Sequence, residues 1–374
     1  MSEKKLGFGT MRLPLRDAAD PASIDLKQTK QMVDAFLAKG FTYFDTAWMY
    51  CGGQSEKAVK AALVDRHPRS SFTLTTKLPD YLLQTAADRD KVFNTQLQRT
   101  GAGYFDYYLL HNVNANTLRT FEKLACFDWL RAKKRQGLAK KIGFSYHDGP
   151  ELLDKLLTKY PDMDVVQLQL NYLDWESPNV PARAGGEVAK KHGKPIIVME
   201  PVKGGTLAKL PGEAQALLEE AAPGRSAASW AVRFAAGLEG VMMVLSGMSD
   251  MAQLEDNTAY MQNFAPLTAA EEALVHKAAG IINSRVAIPC TGCEYCLAKC
   301  PKGIPIPKYF SLYNADMRER EDKDWTAQMG YYDILAETTA PPAACVGCGA
   351  CEALCPQHLP NRKLLKDVTK RLDG

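Results

Sequence analysis

The chain lacks any apolar run approaching the ~20 residues that span a bilayer, which argues against a membrane-spanning helix. It lacks an apolar signal core in its opening MSEKKLGFGTM, so a cytoplasmic protein is expected. It lacks charge of one sign: 46 Lys and Arg stand against 43 Asp and Glu, a net +3. That is too small an excess to argue for nucleic acid or an anionic membrane as partner. No low-complexity segment is present. The longest charge run, Arg318–Asp324, is of mixed sign and is expected to be a solvated loop or helix face. Cysteine is nearly missing from the first 289 residues, which hold only Cys51 and Cys126. A secreted disulfide protein would spread its cysteines through the fold it staples. With 46% apolar and 24% charged residues, disordered and collagen-like classes are excluded as well.

What is present falls into two parts. Strand-like runs occur at LGFGTMRL, FTYFDTA, FTLTTKL, FDYYLLH, KKIGFS, VVQLQLNY, KPIIVMEP and VMMVLSGM. Between them lie helical patterns, among them Lys27–Lys39, Ser55–Arg66, Asp88–Thr100, Leu118–Gln136, Glu151–Tyr160 and Ala227–Ala236. Eight strands alternating with helices predict an α/β fold, a (β/α)8 TIM barrel, with a doubly wound open sheet as the alternative. From Ala287 the alternation ends while Pro and Cys rise. Two runs of four cysteines, Cys290–Cys300 and Cys345–Cys355, follow there in ferredoxin-type spacing. The expected organisation is a barrel over 1–285 and a small α-helical ferredoxin-type iron–sulfur domain over 286–374, with a helix at Ala269–Asn283 as the bridge. A tail this short buries little core, so bound metal is an expected support.

The tail carries the other eight of the ten cysteines. Cys290-x2-Cys293-x2-Cys296-x3-Cys300-Pro301 repeats as Cys345-x2-Cys348-x2-Cys351-x3-Cys355-Pro356. This is the bacterial ferredoxin spacing for [4Fe–4S] clusters, in which the fourth cysteine ligates the other cluster. The expected ligand sets are Cys290, Cys293, Cys296 and Cys355 for one cluster, and Cys345, Cys348, Cys351 and Cys300 for the second. Zinc sites pair two short CxxC units and need neither the third cysteine nor the trailing Cys-Pro.

In the barrel, chemistry belongs at the carboxyl ends of strands. Asp45 ends the second strand segment, with Tyr50 just beyond; Lys77 ends the third and His111 the fourth. Charges inside apolar runs are expensive unless paired, so Asp45 and Lys77 are expected to pair. A nearby ammonium is expected to lower the pKa of the Tyr50 phenol, and His111 to hydrogen-bond a carbonyl. This is a proton donor and a carbonyl clamp, the two devices hydride addition to C=O requires. Any one of these residues alone is commonly a cap or packing; four at successive strand ends are a constellation. Glycine loops follow the last two strands, Lys203-Gly204-Gly205 and Ser246-Gly247-Met248, where barrels often bind phosphate.

FDTAWMYCGGQSE, TTKLP, YYLLH, GFSYH and VLSGMSDMAQLEDN closely resemble the aldo-keto reductases, over roughly residues 6–262. With its tail the chain is similar to the iron–sulfur subgroup of that family. The resemblance implies a catalytic tetrad of Asp45, Tyr50, Lys77 and His111 with NADP(H) as hydride donor. It adds Gln253 and Asn257 as nucleotide contacts and Gln167 as a contact to the nicotinamide amide. Thr10, Met11, Ser145, Met199 and Pro201 complete the expected cofactor-binding set. The sequence departs from the commonest pattern at Tyr146, at Met199, which stands where an aromatic often stacks, and at Cys51. Cys51 is read as filling space or lining the pocket, and Cys126 as a buried helix residue.

Nicotinamide moves two electrons together, whereas each cluster passes one. FMN fed by the clusters is therefore the main alternative cofactor, in an electron-transfer reductase. A non-catalytic nucleotide-sensing subunit is a third reading, disfavoured because sensing has no use for Tyr50. Expected partners are a small-molecule carbonyl or unsaturated substrate and a redox partner protein. Trp48, Tyr146, His147, Tyr172 and Trp175 are pocket candidates, with packing preferred for Trp175. Tyr309, Phe310, Tyr313, Trp325, Tyr331 and Tyr332 are expected to dock the tail onto the barrel.

Overall fold

The computed structural model describes residues 4–177, 180–284, 286–319 and 326–373; Trp325 and most of the Arg318–Asp324 run lie outside them. Eight parallel strands form a closed barrel: β1 (Leu6–Gly9), β2 (Tyr43–Asp45), β3 (Thr73–Pro79), β4 (Phe105–Val113), β5 (Ala139–Tyr146), β6 (Val165–Gln169), β7 (Ile196–Met199) and β8 (Val241–Gly247). Each pairs with the next, and β8 closes on β1 through Leu6–Val244 and Gly9–Gly247. All eight expected strand segments are strands, and closure excludes the open sheet.

Strand periodicity explains how the site is built. Side chains alternate faces with period two. Tyr43, Leu109, Val165, Ile197, Met243 and Leu245 form an apolar cluster inside the barrel. Two residues further along their strands, on the same inward face, stand Asp45, His111, Gln167, Met199 and Gly247. An apolar layer thus floors a polar one at the carboxyl ends. The opposite faces supply the main core: Phe8 and Phe44 stack on each other, and Phe36 of the helix Leu26–Ala38 meets both edge-on.

Most helices lie where periodicity predicts them. Ala86–Thr100 begins on a capping box, with Asp88 accepting from the Thr85 backbone N–H and hydroxyl. Thr268 and Glu271 cap Ala269–Asn283 in the same way. Two expectations are corrected. Leu118–Gln136 is two helices, Ala115–Lys123 and Cys126–Arg135, separated at Ala125, whose φ is 48°. Ser55–Arg66 is α-helical only to Val59 and then widens into a π-turn over Lys60–Val64. Among the described residues no helix is long and apolar enough to cross a membrane.

The tail builds a core of its own. Tyr309, Phe310 and Tyr332 are buried with Ile288, Ile304, Leu359, Leu365 and Val368, on the helices Ile306–Glu319, Ala327–Thr338 and Asn361–Leu372. These aromatics therefore stabilise the tail internally and do not dock it onto the barrel; Tyr331 is exposed. Docking is polar instead. Arg12 donates to the Thr291 carbonyl at 3.3 Å, and Gln357 donates to Gln169 Oε1 at 2.9 Å.

One glycine is demanded by close approach. A Cβ on Gly143 of β5 would lie 2.1 Å from the Val165 carbonyl oxygen of β6. Backbone in a barrel cannot give way locally, so Gly143→Ala is expected to destabilise the protein by about 3 kcal/mol or more, read as a lowered urea midpoint at unchanged m-value.

Candidate active site

Asp45 and Lys77 sit on adjacent strands, both almost wholly buried, and the Lys77 ammonium donates to Asp45 Oδ1 at 2.6 Å and to the Thr46 carbonyl at 2.9 Å. It also donates to Tyr50 Oη at 3.3 Å. The Tyr50 ring meets the His111 ring edge-on, with centroids 6.1 Å apart. A further layer, which sequence reasoning missed, braces β3: Gln96 donates to the Lys77 carbonyl at 3.0 Å and to the buried Glu56 at 2.6 Å.

Burial governs the protonation states. It pushes the Lys77 amine down and the Asp45 carboxyl up, each opposed by the other's charge. Burial, then the Asp45 charge, holds the Tyr50 phenol well above its ordinary range. The expected lowering by Lys77 is not met, because the ammonium is already neutralised by Asp45 and the phenol is removed from water. Burial, then the Lys77 charge, holds His111 well below the usual imidazole range, so its ring is neutral.

A cavity of about 730 Å³ opens over this constellation. Asp45 and Tyr50 lie in its wall, with Met11, Gln167, Met199, Pro201, Gly204, Gly205, Ser246, Gly247, Gln253 and Asn257 of the expected nucleotide set. Asn257 donates to Ser246 Oγ at 2.6 Å, tying the last strand to the helix that follows it. Gln167 Oε1 is buried without a hydrogen-bond partner, an acceptor free for an amide N–H. The dinucleotide therefore fits on three counts: volume, glycine-lined backbone and an unpaired acceptor.

Four residues of the expected set are placed elsewhere. Thr10 is buried, donating to the Asp45 carbonyl at 2.9 Å, and so braces the catalytic strand. Ser145 accepts from the Asn112 N–H at 2.8 Å. Met248 is fully buried in the barrel core. The Lys203 ammonium is buried in an ion pair with Asp174 and donates to Gln357 at 3.0 Å, facing the tail rather than the cavity. Of the aromatic pocket candidates, His147 reaches the wall. Tyr146 donates to the Gly149 carbonyl, Trp48 stacks under Arg99, and Tyr172 and Trp175 pack on Phe234. Cys51 is buried against the Thr10 and Met11 carbonyls, and Cys126 is buried at a helix start.

Sequence reasoning did not foresee Arg12, Glu200, Thr291, Tyr295 and Gln357, nor that the expected cluster ligand Cys293 would join them in lining the cavity; Thr291, Cys293, Tyr295 and Gln357 belong to the tail. Arg12 follows β1 in TMRL and was legible as a charge at a strand end. Nothing local in the sequence says where a tail lands.

Cys300, Cys345, Cys348 and Cys351 line one small cleft of the tail. Cys296 has Cys293, Cys290 and Cys355 as electrostatic neighbours, and then Cys351 of the cleft. Among the described residues no three ligating side chains converge on a single ion. A four-iron cube takes each thiolate on a separate iron, and four thiols stand in the one cleft.

Comparison with known proteins agrees with this geometry. The model of the aldo/keto reductase family matches residues 5–279, and a 4Fe-4S dicluster domain model matches residues 289–359. The comparison with curated proteins gives no match. Similar solved structures include an aldo-keto reductase from Bacillus halodurans in its holo form, at 25% identity and TM-score 0.58, covering 73% of this chain and 91% of that one. Another is an aldo/keto reductase from Klebsiella pneumoniae in complex with NADP and acetate, at 20% identity and TM-score 0.56, covering 73% and 90%. The chain belongs to the aldo/keto reductase family, whose members are oxidoreductases, and it carries a 4Fe-4S dicluster domain after the barrel.

Removing one member of the buried pair leaves the other charged and unpaired. Asp45→Asn and Lys77→Met are each expected to lose about 3–5 kcal/mol of stability, and the double variant to lose less than either, as measured by urea unfolding.

Proposed function

We propose that this protein reduces a small-molecule carbonyl compound with NADPH, Tyr50 delivering the proton and His111 holding the carbonyl oxygen. The observation that carries the reading is the contact chain Asp45–Lys77–Tyr50, with separations of 2.6 and 3.3 Å, in the same cavity as Gln167, Gly204, Gly205 and Gly247. The Klebsiella neighbour's complex with NADP supports the same cofactor here. NADPH bound along the cavity supplies the hydride. As hydride adds to the carbonyl carbon, negative charge grows on the oxygen. Tyr50 gives that oxygen its proton, and the phenolate left behind is met by the Lys77 ammonium, already aimed at it and held by Asp45. His111, neutral, donates to the same oxygen and fixes its direction. Gln167 and Asn257 orient the nucleotide.

In this reading residues 1–285 form the catalytic unit and 286–374 hold two [4Fe–4S] clusters on the two thiol sets. The clusters brace the tail or exchange electrons with a redox partner protein, and the setting is cytoplasmic.

Tyr50→Phe is expected to lower kcat/KM for carbonyl reduction by at least about a hundredfold; unchanged turnover overturns the assignment. Because the phenol sits above its ordinary value of 10.0, it keeps its proton across neutral pH. Reduction should therefore stay flat there and fall only as pH rises past the raised value. A loss centred near neutrality in stopped-flow hydride transfer would contradict a Tyr50 acid. Anaerobically purified protein is expected to hold about eight irons per chain and no flavin, by iron and sulfide assay with acid release; stoichiometric flavin would replace NADPH by FMN as the bound carrier.

A further inference from the structure

The ferredoxin-type motif carries a residue that its cluster chemistry does not use. Tyr295 lies between Cys293 and Cys296, and the tail delivers it into the barrel mouth, where it lines the cavity beside Tyr50. Its hydroxyl lies 3.3 Å from His111 Nε2, and its ring meets the imidazole edge-on, with centroids 6.1 Å apart at 89°. With Tyr50 also edge-on to the imidazole, His111 has a phenol ring from the barrel and another from the tail against it.

An imidazole nitrogen makes one in-plane hydrogen bond. His111 Nδ1 is buried without a partner, and Nε2 points to the hydroxyl of Tyr295, a residue of the cavity wall, so Tyr295 already fills its direction. A substrate oxygen held by His111 must take the place of the Tyr295 hydroxyl. We propose that Tyr295 is a gate: a tail-borne phenol that occupies the carbonyl-oxygen position and must swing aside before substrate binds. The proposal rests on His111 being the carbonyl clamp. Rotation about the side-chain torsions moves the ring without moving the backbone, and the adjoining cavity gives it room. The hinge is set by Cys293 and Cys296, the neighbours expected to hold cluster one. The resting position of the gate is therefore a property of the assembled cluster loop, and substrate entry is coupled to a part of the chain outside the barrel.

The test uses anaerobically purified, cluster-loaded full chain without nucleotide. Diethyl pyrocarbonate acylates neutral imidazole, and peptide mass spectrometry reads labelling at His111. Iron content equal to wild type certifies that each variant has folded. Tyr295→Ala is expected to label at His111 roughly tenfold faster than wild type, the value of one lost hydrogen bond. Labelling at the wild-type rate overturns the gate. Tyr295→Phe keeps the ring and loses the competing hydroxyl. With NADPH and benzaldehyde as probe, its KM is expected to fall by up to about tenfold; a rise in KM overturns the gate, since it would make the hydroxyl a substrate contact. If no form turns over benzaldehyde or any related aldehyde, the carbonyl-reductase reading fails, while the labelling still decides whether Tyr295 covers His111.

Discussion

The contact between the Lys77 ammonium and the Asp45 carboxylate is the constraint on which the site depends. Two charges at the bottom of a barrel mouth are tolerable only together, because each offsets the desolvation of the other. Their positions follow from the inward face of β2 and β3, one polar step above the apolar layer of Tyr43 and Leu109. Once the pair is in place, the states of its neighbours follow. Tyr50 keeps its proton because it is buried and lies near the Asp45 carboxylate. His111 stays neutral because a buried imidazolium next to that cation would be doubly unfavourable. One ion pair thus stands beside a phenol and an imidazole that are both held neutral.

A second buried network joins barrel to tail. Lys203 and Asp174 pair beneath the tail, Gln169 and Asn171 donate to Asp174 at 2.7 and 2.8 Å, and Gln357 bridges Lys203 and Gln169. Lys203, Gln169 and Asn171 each have a partner, and one partner, Gln357, belongs to the tail. Polar docking of this kind is directional, so it fixes how the tail sits. That registry brings Thr291, Cys293 and Tyr295 into the cavity wall.

Much of this was legible in the sequence for physical reasons. Strand ends carry the chemistry of a closed barrel, so reading eight apolar runs and their terminal residues located Asp45, Tyr50, Lys77 and His111. Ferredoxin spacing is specific enough to announce the 4Fe-4S dicluster domain. What failed was orientation. Periodicity places Lys203 after β7 but not its side chain, which the backbone, at φ 43°, sends toward Asp174. Met248 follows a glycine at a strand end yet turns into the core. The break at Ala125 carries no Gly or Pro to announce it. Tyr295 was out of reach because its place is set by a long-range docking geometry, to which its immediate neighbours contribute nothing.

The tail cysteines differ in where they face. Cys293 lines the cavity at the barrel mouth, whereas Cys348 is exposed, beside Val346 at 58% exposure. Iron held on these thiols would have an indoor terminal and an outdoor one. An electron arriving from solution would meet the outdoor set first, and only the indoor set adjoins the chemistry. The same polarity would order the hazards: dioxygen would meet the exposed Cys348 thiol first, so damage would begin away from the cavity that Tyr50 lines.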